Sequence, residues 1–357
     1  MFKRLLHKIF YGIITLFGVV TVIFFILHKI PGDSAQMMQG QHEDSEQLTA
    51  IKKKYGFDKP ILTQYVLYLN DLSPISFHSN NSNDFTSLDK GKYTYAKLFS
   101  TKSTTLVLKS PYLRESYSKS GKKVTAIIAE TLPNTAVLAV TSILIAIIIG
   151  IIFGILSALY KDTFFDKIIS VISIFGMSIP SFFSAILFAW FFGFILHKYT
   201  HLNMTGSLYE VDDFGEGRYM QLKNLILPAL VLGIRPLAVI IPLMKNSLLE
   251  VLSQDYIRTA KAKGLSTVQI IKKHALKNAL NPVVTAISGW FASLLAGAVF
   301  VEYIFGWNGL GKEIINALNE KDYPVIIGSS IIIAAMFIII NIFVDIIYGW
   351  LDPRINS

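Results

Sequence analysis

From Pro133 to Tyr160 the chain carries no charged side chain. An apolar run of that length is too long for a strand and reads as a helix that crosses a bilayer. Five further runs have the same character: Ile9 to Ile30, Ile168 to Leu196, Leu225 to Met244, Val283 to Val301 and Val325 to Leu351. At ~1.5 Å per residue, each can cross ~30 Å of hydrocarbon with some tilt. Pro180 permits a kink in the third run. Pro228, Pro236 and Pro242 mark the fourth as bent, which membrane helices tolerate where neighbours meet the freed carbonyls. The expected fold is an all-α integral membrane protein with six transmembrane helices.

Composition agrees. Hydrophobic residues make up 52% of the 357, and charged ones only 16%, against about 25% in soluble domains. The net charge of +9 suits loops beside anionic lipid better than nucleic acid. Cysteine is absent, which excludes disulfides, thiol catalysis and thiolate metal sites. Lys3, Arg4 and Lys8 precede the first run, but that run exceeds the ~7–15 residues of a signal-peptide core and no small-x-small site follows it.

Charge also sets the orientation. With the N-terminus inside, the inner segments hold thirteen Lys and Arg, and the two short outer loops, 198–223 and 302–324, hold five. The long segment 31–131 is basic too, but loops beyond ~60 residues translocate largely regardless of charge. Both termini are therefore expected in the cytoplasm. The domain reading is an N-terminal transmembrane helix at 1–30, an extracytoplasmic segment at 31–131, and a permease-like core at 132–357 whose cytoplasmic loop covers 246–282. In the outer segment Ser45 to Leu72 has helical spacing, and His78 to Lys92 reads as loop.

That cytoplasmic loop is basic and helix-forming, and its Lys and Arg could not be buried in lipid without costing several kcal/mol each. Good helix formers run from Ser247 to Lys263. Gly264 can supply the left-handed residue that ends the helix. Ser266 with Gln269 three residues on is a capping-box pattern for a second helix, expected to turn Val268, Ile271, Ala275 and Ala279 one way and Lys272, Lys273 and Lys277 the other. Small residues at Ala260, Ala262 and Gly264 permit close approach. A surface helix on anionic headgroups and a partner-docking helix both fit this pattern.

The run Asp255-Tyr256-Ile257-Arg258-Thr259-Ala260-Lys261-Ala262-Lys263-Gly264-Leu265, closed by His274-Ala275-Leu276-Lys277-Asn278-Ala279, resembles the Glu-Ala-Ala loop of ATP-binding-cassette importer permeases. Arg258-Thr259-Ala260 stands in place of Glu-Ala-Ala, as in the B-type subunit of the dipeptide, oligopeptide and nickel branch. Further similar motifs are Pro31-Gly32-Asp33, Tyr55-Gly56-Phe57-Asp58-Lys59-Pro60, Ser178-Ile179-Pro180-Ser181-Phe182, Gly297 to Glu302 with Gly309-Leu310-Gly311, Asp322-Tyr323-Pro324 and Asp352-Pro353-Arg354-Ile355. Residues 73–123 depart from the family as a longer polar insertion, and Trp307-Asn308-Gly309 stands where the family often has Pro before Gly.

The resemblance implies a type I importer fold in the bacterial inner membrane. It implies no enzyme activity in this chain and no cofactor. The implied partners are a second permease subunit, two ATPase subunits, an extracytoplasmic substrate-binding protein and membrane lipid, with no nucleic acid. Coupling to the ATPases falls to Tyr256, Arg258, Ala260, Lys263, Gly264 and Leu265. Peptides are the leading cargo, with nickel or a metal chelate as the alternative within the family. A self-sufficient secondary transporter would need inverted repeats or a polar midplane cluster.

Other motifs invite chemistry. Gly306 to Lys312 fits seven positions of a phosphate-binding loop, but Glu313 occupies the eighth, where Ser or Thr must hold magnesium. His197 and His201 have i, i+4 spacing without further evident ligands, so no metal site is assigned. Asp212 and Asp213 read as solvated loop carboxylates. Arg235, Asn341 and Asp345 are polar groups inside apolar runs, where they either anchor helix packing or line a path.

Overall fold

The computed structural model describes residues 2–29, 45–81, 84–89, 91–119, 121–211 and 217–351. The motifs at 31–33 and 352–355 and the pair Asp212 and Asp213 lie outside these residues, as does the side chain of Asp345. The described chain is mostly helical, but not wholly so: five short strands interrupt the expected all-α fold.

Helix α1 covers Phe2–Lys29, followed by α2 (Ser45–Tyr55) and α3 (Ile61–Leu72). Strands β1 (Ile75–Ser79), β2 (Tyr95–Ser100) and β3 (Thr104–Lys109) come next. Then follow α4 (Val124–Leu159), α5 (Phe164–Ser178) and α6 (Ser181–Phe188). A π-helical stretch, Ala189–Ile195, leads to α7 (His197–Thr200) and the hairpin β4 (Tyr209–Val211) and β5 (Arg218–Met220). The last part holds α8 (Lys223–Leu252), α9 (Asp255–Ala262), α10 (Thr267–Ile270), a π-turn at Ile271–Ala275, α11 (Leu276–Phe305), α12 (Leu310–Asn319) and α13 (Tyr323–Leu351).

Among the described residues four helices are long and apolar enough to cross a membrane: Leu6–Lys29, Val124–Leu159, Lys223–Leu252 and Tyr323–Val344. A fifth span arises if Phe164–Ser178 and Ser181–Ile195 count as one, although they meet at 112°. The third apolar run is thus broken where the sequence suggests only a kink. Pro180 offers no N–H, and Ile179 and Pro180 are both extended, with ψ 129° and 140°, so the helical ladder cannot continue. The expected fifth run lies on α11, whose 30 residues include Pro282.

The chain divides into two compact units. One comprises Met1–Lys8, Thr131–Lys312 and Ala335–Ser357. Its central helix is α8, which packs against α11, α5 and α6. A Cβ on Gly154 of α4 would lie 2.5 Å from Met244 Cβ, so glycine lets α4 and α8 touch closely, as small residues do between membrane helices. Leu138, Leu227, Leu294, Phe305 and Trp307 share one buried cluster; Ile240, Met244, Leu248, Ile257, Ile270, Ala275 and Val283 share another.

The other unit comprises Ile9–Glu130 and Glu313–Ala334. Its sheet has the order β1-β3-β2 and is antiparallel, with Ile75 opposite Leu108 and Phe77 opposite Leu106. Sequence reading missed these strands. The sheet turns polar Ser76, His78, Thr105 and Lys109 inward and leaves Ile75, Phe77 and Leu108 exposed, the reverse of the usual alternation. The inward groups are satisfied: His78 bonds Ser76 Oγ at 2.8 Å and Thr86 O at 2.9 Å. Asp71 binds Arg114 Nε at 2.9 Å and Tyr93 Oη at 2.8 Å, and Lys109 donates to its backbone carbonyl.

Candidate functional site: the loop 253–280

Helix α9 ends in a complete Schellman motif. Gly264 has φ +78°, its N–H donates to Lys261 O at 2.9 Å, and the Leu265 N–H reaches back to Ala260 O at 3.4 Å. Two further backbone carbonyls of the helix end are thereby satisfied. Two residues on, Ser266 Oγ accepts from the Gln269 N–H at 3.4 Å and Gln269 Oε1 from the Ser266 N–H at 3.0 Å, so the capping box is formed. Local chemistry therefore fixes the turn, as the sequence suggests.

Packing fixes which way it faces. Ile257, Ala260, Ile270, Ile271, Ala275 and Ala279 are buried, and the loop shares its apolar cluster with Met244 and Leu248 of α8 and Ala158 of α4. Leu265 packs half-buried against that cluster. Val268 departs from expectation and is 62% exposed. The buried stripe passes through Ile270 and Ile271, and Val268 stands ~200° around the helix from Ile270.

Among the six proposed contact residues, Ala260 faces the core. Its small size lets α9 sit close to α8 and leaves outward contact to its neighbours. Tyr256, Arg258, Lys263 and Gly264 are exposed. Asn278 Nδ2 donates to the Tyr256 hydroxyl at 2.9 Å, tying α9 to α11. Arg258 meets only the exposed Asp255, at 3.4 Å. A solvated pair of that kind contributes little to stability, and it leaves the guanidinium available. A Cβ on Gly264 would meet nothing within 4 Å. The outward face is thus basic, with one aromatic ring and an open glycine.

A clamp beneath this loop is not evident in the sequence. Asp166 of α5 receives Lys245 Nζ of α8 at 2.6 and 2.8 Å, and Ser157 of α4 donates to the same carboxylate. The partners are 79 and 9 residues apart in sequence, and no local pattern announces them.

The glycine-rich run 306–312 has a different use from phosphate binding. Glu302, fully buried, accepts from the Gly311 N–H at 2.7 Å and the Lys312 N–H at 3.2 Å. A carboxylate from within the chain therefore holds the first amides of α12, as an anion does at a helix N-terminus. His197 bonds Leu202 O at 2.7 Å, and His201 closes α7 in a left-handed conformation. Arg235 is exposed on α8. Asn341 Nδ2 donates to Phe337 O at 2.8 Å within its own helix. Among the described residues no hydrogen bond or ion pair joins Arg235 to Asn341.

Residues 150–357 match the family described as binding-protein-dependent transport system inner membrane component, and residues 1–84 match the N-terminal region of such membrane components. The dipeptide transport system permease protein DppB of Alkalihalophilus pseudofirmus is 33% identical over 96% of this chain and 95% of its own length. The di/tripeptide permease DppB of Pseudomonas aeruginosa is 32% identical, covering 96% and 95%. DppB of Escherichia coli K12 is 31% identical, covering 100% and 99%. In fold, the inward-facing MetNI methionine ABC transporter is similar with a TM-score of 0.51 at 16% identity, over 64% of this chain and 97% of that one. The chain belongs to the family of binding-protein-dependent transport system inner membrane components, the permease subunits of ABC importers.

Proposed function

We propose that this chain is one half of the transmembrane channel of an ATP-driven importer of peptides, and that the loop 253–280 receives the work of separate ATPase subunits. The observation that carries this reading is the two-faced loop. One face is buried against α8 and α4, and the other presents Tyr256, Arg258, Lys263 and Gly264. Ala260 and Leu265 hold the docked helix to the core. The peptide cargo is supported by the names of the relatives.

Family membership supports the remaining parts of the proposal. A second permease subunit completes the channel, two ATPases grip the loops, and an extracytoplasmic binding protein delivers cargo. The proposed topology has six spans, both termini in the cytoplasm, residues 31–131 outside and 132–357 as the transport core, an orientation supported by the excess of Lys and Arg in the inner segments. ATP closure of the ATPase dimer moves α9, and the buried face transmits the motion to α8 and α4 as a rigid-body rotation. Arg235, Asn341 and Asp345 are the polar groups assigned to the core; of the two whose side chains are described, Asn341 bonds within its own helix and Arg235 is exposed.

Gly264→Asp tests the coupling claim. The added side chain has open space, so its direct cost is the left-handed backbone, ~1–2 kcal/mol. The expected result is normal membrane insertion and normal recovery of the four-subunit assembly, with peptide uptake lost and ATPase activity no longer raised by loaded binding protein. Wild-type uptake in this variant would refute docking through this face.

A further inference from the structure

Arg235 stands within three residues of the middle of the 30-residue α8. Between Leu227 and Lys245, all described, it is the only exposed residue. The face it belongs to is graded. Toward the loop 253–280, Val239 and Pro242 are half-buried and Asn246 is exposed; in the other direction Leu232, Val231 and Pro228 are buried. Arg235 therefore stands at the point where this face of α8 changes from covered to open, the open part running toward the coupling loop. On α11, the helix most extensively packed on α8, the exposed positions Asn281, Thr285, Gly289 and Ser293 repeat every fourth residue. Small and polar residues facing out at this depth suit water or a partner rather than lipid tails.

A cation at mid-span demands an anion or water. Among the described residues of the same unit the buried carboxylates are engaged: Asp166 holds Lys245, and Glu302 holds the amides of Gly311 and Lys312. Among the described residues Arg235 has no carboxylate partner. We propose that Arg235 binds the free α-carboxylate of the peptide in transit. That group is common to linear peptides whatever their side chains, and the planar guanidinium matches it in a two-bond pairing. A permanent ion pair with a partner helix fits less well, because exposure along this face of α8 increases progressively toward one end instead of forming one uniform strip. The inference rests on the peptide reading above.

The test uses the complete assembly in proteoliposomes, with binding protein loaded separately and to equal extent with a labelled dipeptide or its C-terminal amide. Wild type is expected to transport the acid faster than the amide. Arg235→Gln should assemble normally and keep its stimulated ATPase activity, while uptake of the acid falls by roughly tenfold or more and the preference disappears. Arg235→Lys should restore most of both. An unchanged acid-to-amide ratio in Arg235→Gln would overturn the inference and leave the peptide reading standing. Loss of the partner permease from the Arg235→Gln assembly, reversed by Arg235→Lys, would mark an intersubunit ion pair and overturn it as well. Wild-type vesicles that take up neither compound would overturn the peptide reading itself.

Discussion

At the scale of single residues, the three-stranded sheet is most stable with His78 neutral. Burial lowers its pKa from the usual 6.5, Lys109 adds to the effect, and the Thr86 carbonyl and Asp71 oppose it. A depressed folded-state pKa means the unfolded chain binds the extra proton first, so stability is full above about 6.5 and declines as pH falls below it. Thermal unfolding of the sheet, followed by hydrogen exchange at the β1 and β3 amides, should show protection falling between pH 7 and 5. In His78→Gln that slope should flatten. Residue chemistry of this kind was partly legible in the sequence. Gly264, Ser266 and Gln269 lie within six positions of one another, so the pattern announces the turn. Asp166 and Lys245 are brought together only by helix packing, and nothing near either residue names the other.

Among elements, α12 shows how a misleading motif acquires its meaning from structure. The glycines of 306–312 resemble a phosphate loop until Glu302 is seen to occupy the amides. A Cβ on Gly311 would fall 2.5 Å from Val299 Cα and 3.0 Å from Val299 N, and backbone cannot move aside as a flexible side chain can. Gly311→Ala should therefore destabilise this corner by a few kcal/mol, in the range of core overpacking, and lower the yield of folded protein in detergent. Long elements were easier to read than short ones. The apolar runs announce α1, α4, α8 and α13 because each is long and nearly free of charge. The strands escaped because β1 alternates over only five residues with its polar face turned inward, and β3, Thr-Thr-Leu-Val-Leu-Lys, lacks the alternation that marks a half-buried strand. Pro180 was visible, but whether a proline kinks or breaks a helix depends on the neighbours that take up the freed groups.

For the molecule as a whole, the Asp166–Lys245–Ser157 clamp joins α4, α5 and α8 directly beneath the loop that is proposed to receive force. Lys245→Met strands a buried carboxylate, a change that costs about 3–5 kcal/mol in comparable buried pairs. The expected outcome is a lower melting temperature of the purified assembly and weaker ATPase stimulation, with Lys245→Met/Asp166→Leu recovering most of the stability. A double variant no more stable than the single one would show that the clamp is not the source of the loss. At the π-turn Ile271–Ala275, one residue more than an α-turn needs is folded into the joint between the loop and α11. Were that turn to relax to α geometry, the surplus residue would pass along the chain as ~1.5 Å of rise and ~100° of rotation. The joint therefore carries a surplus of one residue, and the Asn278–Tyr256 hydrogen bond and the buried Ala275 and Ala279 hold the register in which that surplus stays put.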